Sequence, residues 1–189
     1  MLLIIALLYP ETESSFQWSK SFAFFLFLFA ALTDWLDGWL ARKFGQVSDF
    51  GKFMDALADK VLTLGMFTSL LALGALPIWA LFPILLILSR ELLITGLRLV
   101  AAGKGKTLEA EKIGKLKTVI QLTCISLSLA KLSVESDFTF IMSQDSLELT
   151  LSILDLSTAS TLILATLITV LSGVVYLTKY WRFFLDEEK

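Results

Sequence analysis

The chain contains no histidine, so no imidazole can serve as general base, nucleophile or metal ligand. It contains one cysteine, Cys124, which excludes an intrachain disulfide. That thiol stands inside an apolar run and reads as a packed core residue rather than a nucleophile. There is no basic excess: the formal net charge is -2, which removes the electrostatic footprint of a nucleic-acid partner. No internal repeat, low-complexity tract or second domain interrupts the sequence, and residues 1–189 read as a single domain. The opening residues 1–9 lack a basic n-region and a small-residue cleavage site, so they do not read as a signal peptide. Gly103-Lys104-Gly105-Lys106-Thr107 lacks the first glycine of a phosphate-binding loop, and no strand precedes it. It reads as part of a solvated loop.

What the chain has in excess is apolar surface. Hydrophobic residues make up 56% of it, and mean hydropathy is +0.77, well above a soluble globular mix. Fifteen phenylalanines and five tryptophans suit lipid-facing spans and their interfaces. Five runs approach the length of about 20 residues that a membrane helix needs. They are residues 22–41, 50–73, 78–100, 113–131 and 162–180. The expectation is therefore an all-α integral membrane protein with about five full spans. A tight turn is expected at 74–77, and an outer loop at 132–157 with a short amphipathic helix over 146–156. Lys and Arg at 42, 43, 104, 106, 112, 115, 117, 179, 182 and 189 fall near one side, which the positive-inside rule makes cytoplasmic.

Into the apolar background is set one charged stretch, TDWLDGWLARKFGQVSDFGKFMDALADK, residues 33–60. Carboxylates at membrane depth are costly and point to function. Asp34 and Asp37 are three apart, and Asp55 and Asp59 are four apart, so on helices each pair shares a face. The polar residues 42–48 between the pairs suit a turn that would bring them together. Such oxygen ligands suit Mg²⁺ or Mn²⁺. Four carboxylates can hold two ions in the arrangement that clamps a transferring phosphoryl group. Gly38 and Gly51 strip bulk from the ligand side, and Arg42 can fork onto phosphate oxygens. Further along, Arg90, Glu91 and Arg98 interrupt an apolar helix at spacings that let all three face the bundle interior. Lys115 and Thr118 share one face of the next helix, as do Lys117 and Gln121.

The run Asp34-x-x-Asp37-Gly38-x-x-Ala41-Arg42, eight residues, then Gly51-x-x-x-Asp55-x-x-x-Asp59 resembles the signature of the CDP-alcohol phosphotransferases, integral membrane enzymes of phospholipid synthesis. All eight signature residues stand at the family's spacing. The resemblance implies a six-helix membrane bundle, of which residues 1–9 match only the tail of the first helix. That helix usually carries Pro-Asn, Leu-Thr and Arg motifs, and an in-frame stretch of roughly 15 to 25 residues upstream is expected to complete it. The resemblance further implies transfer of a phosphatidyl group from CDP-diacylglycerol to an alcohol, with release of CMP. Asp34, Asp37, Asp55 and Asp59 would hold the metal, and Asp59 would also take the proton of the attacking hydroxyl. Gly38, Ala41, Arg42 and Gly51 would line the CDP pocket. Arg90, Arg98, Lys115 and Lys117 would bind an acceptor phosphate, which favours a phosphorylated acceptor over serine; sn-glycerol 3-phosphate is the expected one, with inositol phosphate or serine as the alternatives. The Arg-Glu pair and the Gly-Lys-x-Lys-Thr run resemble family members that use that acceptor. Diacylglycerol tails would remain in membrane lipid, and the family admits a homodimer. The expected site is the inner membrane of a bacterial-type cell, with the aspartates open to the cytoplasm. The rival readings are an ion-coupled transporter and an inactive scaffold.

Overall fold

The computed structural model describes residues 1–9, 18–44, 49–103 and 112–185. Within those stretches, the side chains of 35, 38, 39, 41–44, 49–57, 59, 112–115 and 182–185 lie outside the description. The described chain is helical throughout: α1 (Leu2–Leu8), α2 (Ser19–Phe44), α3 (Asp49–Ala72), α4 (Leu81–Gly103), α5 (Lys112–Asp137) and α6 (Gln144–Leu185). A short 3-10 turn, Ile78–Ala80, leads into α4. The all-α class agrees with the apolar periodicity.

The number of spans is smaller than the sequence reading gave. Among the described residues three helices are long and apolar enough to cross a membrane: Ile78–Gly103, Leu116–Asp137 and Gln144–Trp181. About five full spans were expected, so the five-span form of the six-helix bundle is corrected to three. Side chains are described without a break only over 19–34 of α2 and from Lys60 in α3, so neither helix shows a full-length apolar stretch among them. The second half of α2 carries Asp34, Asp37, Arg42 and Lys43, and the first half of α3 carries Asp49, Lys52, Asp55, Asp59 and Lys60. Among the described residues, Lys60–Ala72 of α3 is an apolar helix shorter than a span. The apolar part of α2 still shows a lipid-like face. Phe22, Phe25, Phe29 and Leu32 recur every three or four residues and are all exposed.

The region 132–157 also differs from expectation. It was read as a loop with a separate short helix before the last span. Instead α5 runs on to Asp137, a short turn follows, and α6 is one helix of 42 residues. The Ser143 hydroxyl accepts from the Ser146 backbone N–H at 3.4 Å, an N-cap pattern that starts the helix. No proline or glycine then interrupts it until Gly173. Asp145, Glu148 and Asp155, which suggested a loop, are exposed on it, and Lys131 of α5 donates to Asp155 at 2.5 Å. The turn at 74–77 is as expected. Gly74 has φ of +72°, a left-handed conformation that ends α3 at little cost only for glycine.

The core is built by α2, α3, α5 and α6 with Ile84 and Ile87 of α4, and α1 is laid against α2. Ile4, Leu8, Phe27, Met66, Phe67, Leu70, Ile125, Leu129 and Leu162 are almost fully buried in it. Cys124 is buried there too, as expected of a packed thiol. At one end, α2 and α5 are locked by a carboxylate. Asp137, at the end of α5, accepts from the Ser21 backbone N–H at 2.7 Å and from the Ser21 hydroxyl at 2.6 Å. Ser133 stands one turn away with its hydroxyl 2.7 Å from that of Ser21. The Ser21 N–H belongs to the first turn of α2, whose amides have no partner within the helix. Asp137 therefore caps a helix 116 residues away in the chain.

This cap sets the register that positions the site. The two helices run antiparallel from it. Sixteen residues along α2 lead to Asp37, and sixteen back along α5 lead from Asp137 to Gln121 and from Ser133 to Lys117. At 1.5 Å per residue, each path is about 24 Å. Asp37 thus reaches the depth of Lys117 and Gln121. Replacing Asp137 by Ala removes a charged acceptor from two buried donors and is expected to lower stability by about 2 kcal/mol. Ser133→Ala, which touches only the Ser21 hydroxyl, is expected to cost less. Thermal unfolding of both variants in detergent measures the order.

Candidate functional site

The site is made by the halves of the helices that lie away from the Asp137 cap. From α2 come Asp34 and Asp37, both exposed and one helical turn apart. From α3 come Lys60 and Thr63; from α4 come Arg90, Glu91 and Arg98; from α5 come Lys117, Thr118 and Gln121. The second half of α6 adds Thr169, Ser172, Gly173 and Tyr176, which recur every three or four residues and form its buried face.

Its centre is an ion pair. The Lys117 ammonium, on a residue that is 7% exposed, donates to Glu91 Oε1. Arg90 Nη1 donates to the same oxygen at 3.4 Å. One carboxylate is thus shared by two cations from different helices. Thr95 donates to the Glu91 carbonyl at 2.7 Å. Gln121 Nε2 donates to Thr169 Oγ1 at 3.2 Å and ties α5 to α6. Arg90 lies flat over Gly173: a Cβ at that position would meet Arg90 Cγ at 2.9 Å. Gly173 is what lets the arginine stem run between α4 and α6.

Beside the ion pair, α3, α4 and α5 enclose a cavity of about 140 Å³. Lys60, Thr63, Glu91, Lys117, Thr118 and Gln121 give it a polar side, while Leu64, Phe67, Ile84, Ile87 and Leu88 make the rest apolar. Lys60 follows Asp59 directly, so the cavity abuts the aspartate stretch. A space with both kinds of lining accepts an amphiphilic guest.

The structure brings Arg90 and Lys117 together through Glu91, and brings Arg98 against α6. Arg98 Cζ stands 5.5 Å from the ring centroid of Tyr176. Asp34 and Asp37 are placed on one face at the depth of Lys117. Asp55, Asp59, Gly38, Ala41, Arg42, Gly51 and Lys115 lie on helices, but their side chains fall outside those described; residues 104–111 lie outside the described residues altogether. Among the described residues, no group of three or more His, Cys, Asp or Glu side chains is close enough to hold a metal. The donor chemistry nevertheless fits a hard divalent cation: Asp34 and Asp37 are carboxylates one turn apart on an exposed face of α2, and oxygen donors suit such an ion. Sequence reasoning missed Glu91 as the partner of Lys117, and it missed Tyr176. For Glu91 a signal existed, since it was read as facing inward; for Tyr176 there was none.

These features define a class: a helical protein with several membrane-length helices, whose acidic and basic side chains meet at one end of the bundle beside an amphiphilic cavity. The comparison with known families makes this specific. The model of the CDP-alcohol phosphatidyltransferase family matches residues 1–185, and the chain belongs to that family. It is 45% identical over 101 residues to the CDP-diacylglycerol–glycerol-3-phosphate 3-phosphatidyltransferase of Bacillus subtilis, covering 53% of this chain and 51% of that one. The protein of the same name from Wigglesworthia glossinidia brevipalpis is 37% identical over 125 residues, 65% of each chain. An Arabidopsis thaliana protein, named as the chloroplastic/mitochondrial form 1 of that enzyme, is 32% identical over 95% of this chain and 58% of its own. The chain thus spans from about half to two-thirds of the length of these relatives.

Glu91→Ala withdraws the carboxylate that buried Lys117 and half-buried Arg90 share. Breaking a buried pair from one side costs roughly 3–5 kcal/mol. The double variant Glu91→Ala with Lys117→Met is expected to lose less than the two single variants added together, because the pair is removed as a unit. Thermal midpoints of the single and double variants test the coupling.

Proposed function

We propose that this protein transfers the phosphatidyl group of CDP-diacylglycerol to sn-glycerol 3-phosphate, giving phosphatidylglycerophosphate and CMP. The observation that carries this reading is the eight-residue signature of 34–59, intact in a chain of the CDP-alcohol phosphatidyltransferase family. The relatives named for glycerol 3-phosphate transfer support the acceptor, as does a set of cations beside the acidic stretch.

The step is a displacement at phosphorus. The acceptor's hydroxyl oxygen bonds to the phosphorus that bears the diacylglycerol, and the bond from that phosphorus to the bridging oxygen breaks. CMP leaves with the electron pair. The hydroxyl proton passes to the Asp59 carboxylate, which acts as the general base. Asp34, Asp37, Asp55 and Asp59 would hold Mg²⁺ or Mn²⁺, two ions in all. Bound there, the cations supply Lewis-acid neutralisation of the pyrophosphate charge. Gly38, Ala41 and Gly51 leave room for the cytidine to approach the backbone, and Arg42 forks onto phosphate oxygens. Arg90, Arg98, Lys115 and Lys117 form the cationic side that receives the acceptor's phosphate, with Glu91 holding Lys117 in place. Acyl chains remain in lipid. The placement is a bacterial-type inner membrane with this end of the bundle at the cytoplasm, supported by the Lys and Arg bias of the loops.

Metal removal, acceptor choice and pocket variants test the reading. Asp55→Asn, which replaces an anionic ligand with a neutral amide, is expected to abolish CMP release while the protein remains folded in membranes. EDTA should do the same, and Mg²⁺ or Mn²⁺ should restore the rate; full activity without metal would exclude this mechanism. Offered one acceptor at a time with CDP-diacylglycerol and Mg²⁺, the protein should prefer glycerol 3-phosphate to serine, free inositol and glycerol. Preference for inositol phosphate would keep the chemistry and replace the acceptor. Arg98→Ala is expected to raise the acceptor KM by more than tenfold, the loss of a charge-assisted bond. Arg42→Ala should instead raise the KM for CDP-diacylglycerol.

A further inference from the structure

We propose that the Asp137 end of the bundle binds one phospholipid with a primary-amine headgroup, in a second cavity lined by α5, α6 and the turn that leads into α4. This cavity lies at the opposite end of the molecule from Asp34 and Asp37, and the inference does not depend on the transferase reading.

The cavity holds about 520 Å³, within the roughly 300–1,000 Å³ of small-molecule sites. Beside the turn 74–77 it is lined by Trp79, by Lys131 of α5, and by Asp155, Leu156, Thr158 and Leu162 of α6. Lys131 and Asp155 give it one charge of each sign. The ammonium donates to Asp155 Oδ1 at 2.5 Å, and the Asp155 side chain is 55% exposed. An ammonium has three donors and a carboxylate has about four acceptor sites, so one bond between them leaves both able to bind more. Thr158 is the third polar group. It is 3% exposed, and its hydroxyl is buried without a hydrogen-bond partner. Thr150, Thr161 and Thr166 of the same helix give their hydroxyl protons to the carbonyl one turn back. Thr158 makes no such bond, so its hydroxyl is left for a partner from outside α6. Buried polar groups are nearly always bonded, and an orphan in the lining of a charged cavity points to a ligand.

Charge selects the occupant. A matched pair of opposite charges complements a zwitterion. A phosphoethanolamine headgroup carries an anionic phosphate and a primary ammonium, joined by two carbons. Its phosphate takes an N–H of Lys131 and the Thr158 hydroxyl proton, and its ammonium donates to Asp155. A purely anionic headgroup would set its charge against the Asp155 carboxylate, and a trimethylated one has no N–H to give. The surroundings favour a lipid over a soluble zwitterion. Trp79, Phe82 and Leu86 follow one another at helical spacing and are all exposed. So are Leu156, Ile163 and Leu167 along α6. Both stripes begin at the cavity, with Trp79 and Leu156, and run toward the middle of the bundle, as acyl chains run from a headgroup. A tryptophan at the head of one stripe, and an ion pair open to water at the head of the other, fix the cavity at headgroup depth.

The test is native mass spectrometry of the full chain, purified in detergent and titrated with dioleoyl phosphatidylethanolamine, phosphatidylcholine or phosphatidylglycerol. The wild type should retain one phosphatidylethanolamine at a concentration about tenfold below that needed for the other two, the effect of one bond to a charged group. Thr158→Val keeps the shape and loses the hydroxyl; it should weaken that retention about fivefold, and Lys131→Met should weaken it about tenfold. Asp155→Asn should remove the preference for ethanolamine over choline and leave the retention of phosphatidylcholine as it was. An exposed ion pair adds little to stability, so all three variants should melt in lipid-free detergent near the wild-type temperature. Equal retention of the three lipids by the wild type means an unspecific lipid annulus and overturns the proposal. So does a phosphatidylethanolamine affinity that none of the three variants alters. A preference for phosphatidylglycerol overturns the zwitterion assignment. A second arm needs no variant: the amine of the lipid is methylated one step at a time. Retention should persist while one N–H remains and fall with the third methyl group, and the same retention across the series overturns the proposal.

Discussion

Lys117, Glu91 and Arg90 form one charged junction inside a bundle whose surroundings are hydrocarbon-like, and the arrangement of the helices follows from keeping it matched. A charge with no partner at that depth is costly, and the cost falls only when oppositely charged groups come from more than one helix. Glu91 supplies the negative charge from α4, and Lys117 answers from α5. Arg90, leaning over Gly173, brings in α6. Three helices are thereby tied at one level. Because the pair must stay closed, the cavity beside it keeps its polar wall in a fixed place, and Thr118 and Gln121 are held on the same side.

At the opposite end the same requirement is met with one carboxylate and two serines. Asp137 satisfies the open amides of α2 and so fixes how far α2 reaches past α5. The cap and the ion pair act on the two ends of α5. Between them the helix has no freedom to slide, and Asp34 and Asp37 are delivered to the depth of the cations. The two anchoring points are made from side chains far apart in sequence, which suits a fold whose helices are joined by short connections.

Much of this was legible in the sequence, and the exceptions have physical causes. The aspartate spacings, the inward-facing Arg90, Glu91 and Arg98, and the turn at Gly74 all rest on short-range periodicity, which sequence displays directly. The family followed from residues 34–59 for the same reason. The span count differs because α2 and α3 carry the signature, whose side chains lie largely outside those described. The length of α6 was misread because Asp145, Glu148 and Asp155 look like a polar break. Their separations of three and seven put them on one face of a continuous helix. Asp137 and Tyr176 were not legible at all. The partner of Asp137 lies 116 residues away, and the want of a partner at the Tyr176 hydroxyl is a property of packed neighbours that no spacing encodes.

The single helix of 42 residues at the end of the chain has a mechanical side. At 1.5 Å per residue it is about 63 Å long, while a bilayer with its headgroup regions is about 40–45 Å thick. It cannot stand upright within the membrane, so it either leans or projects into water. Asp155 near one end, tied to Lys131, and Tyr176 near the other are 21 residues apart, about 32 Å along a rigid rod. With the Asp155 end as pivot, a tilt of about 5° would sweep Tyr176 sideways by about 3 Å, roughly the length of a hydrogen bond. Bilayer thickness sets the lean of such a rod. The helix therefore works as a lever that would carry the thickness of the surrounding lipid to the α4–α6 wall, and membrane composition becomes a variable of this end of the molecule.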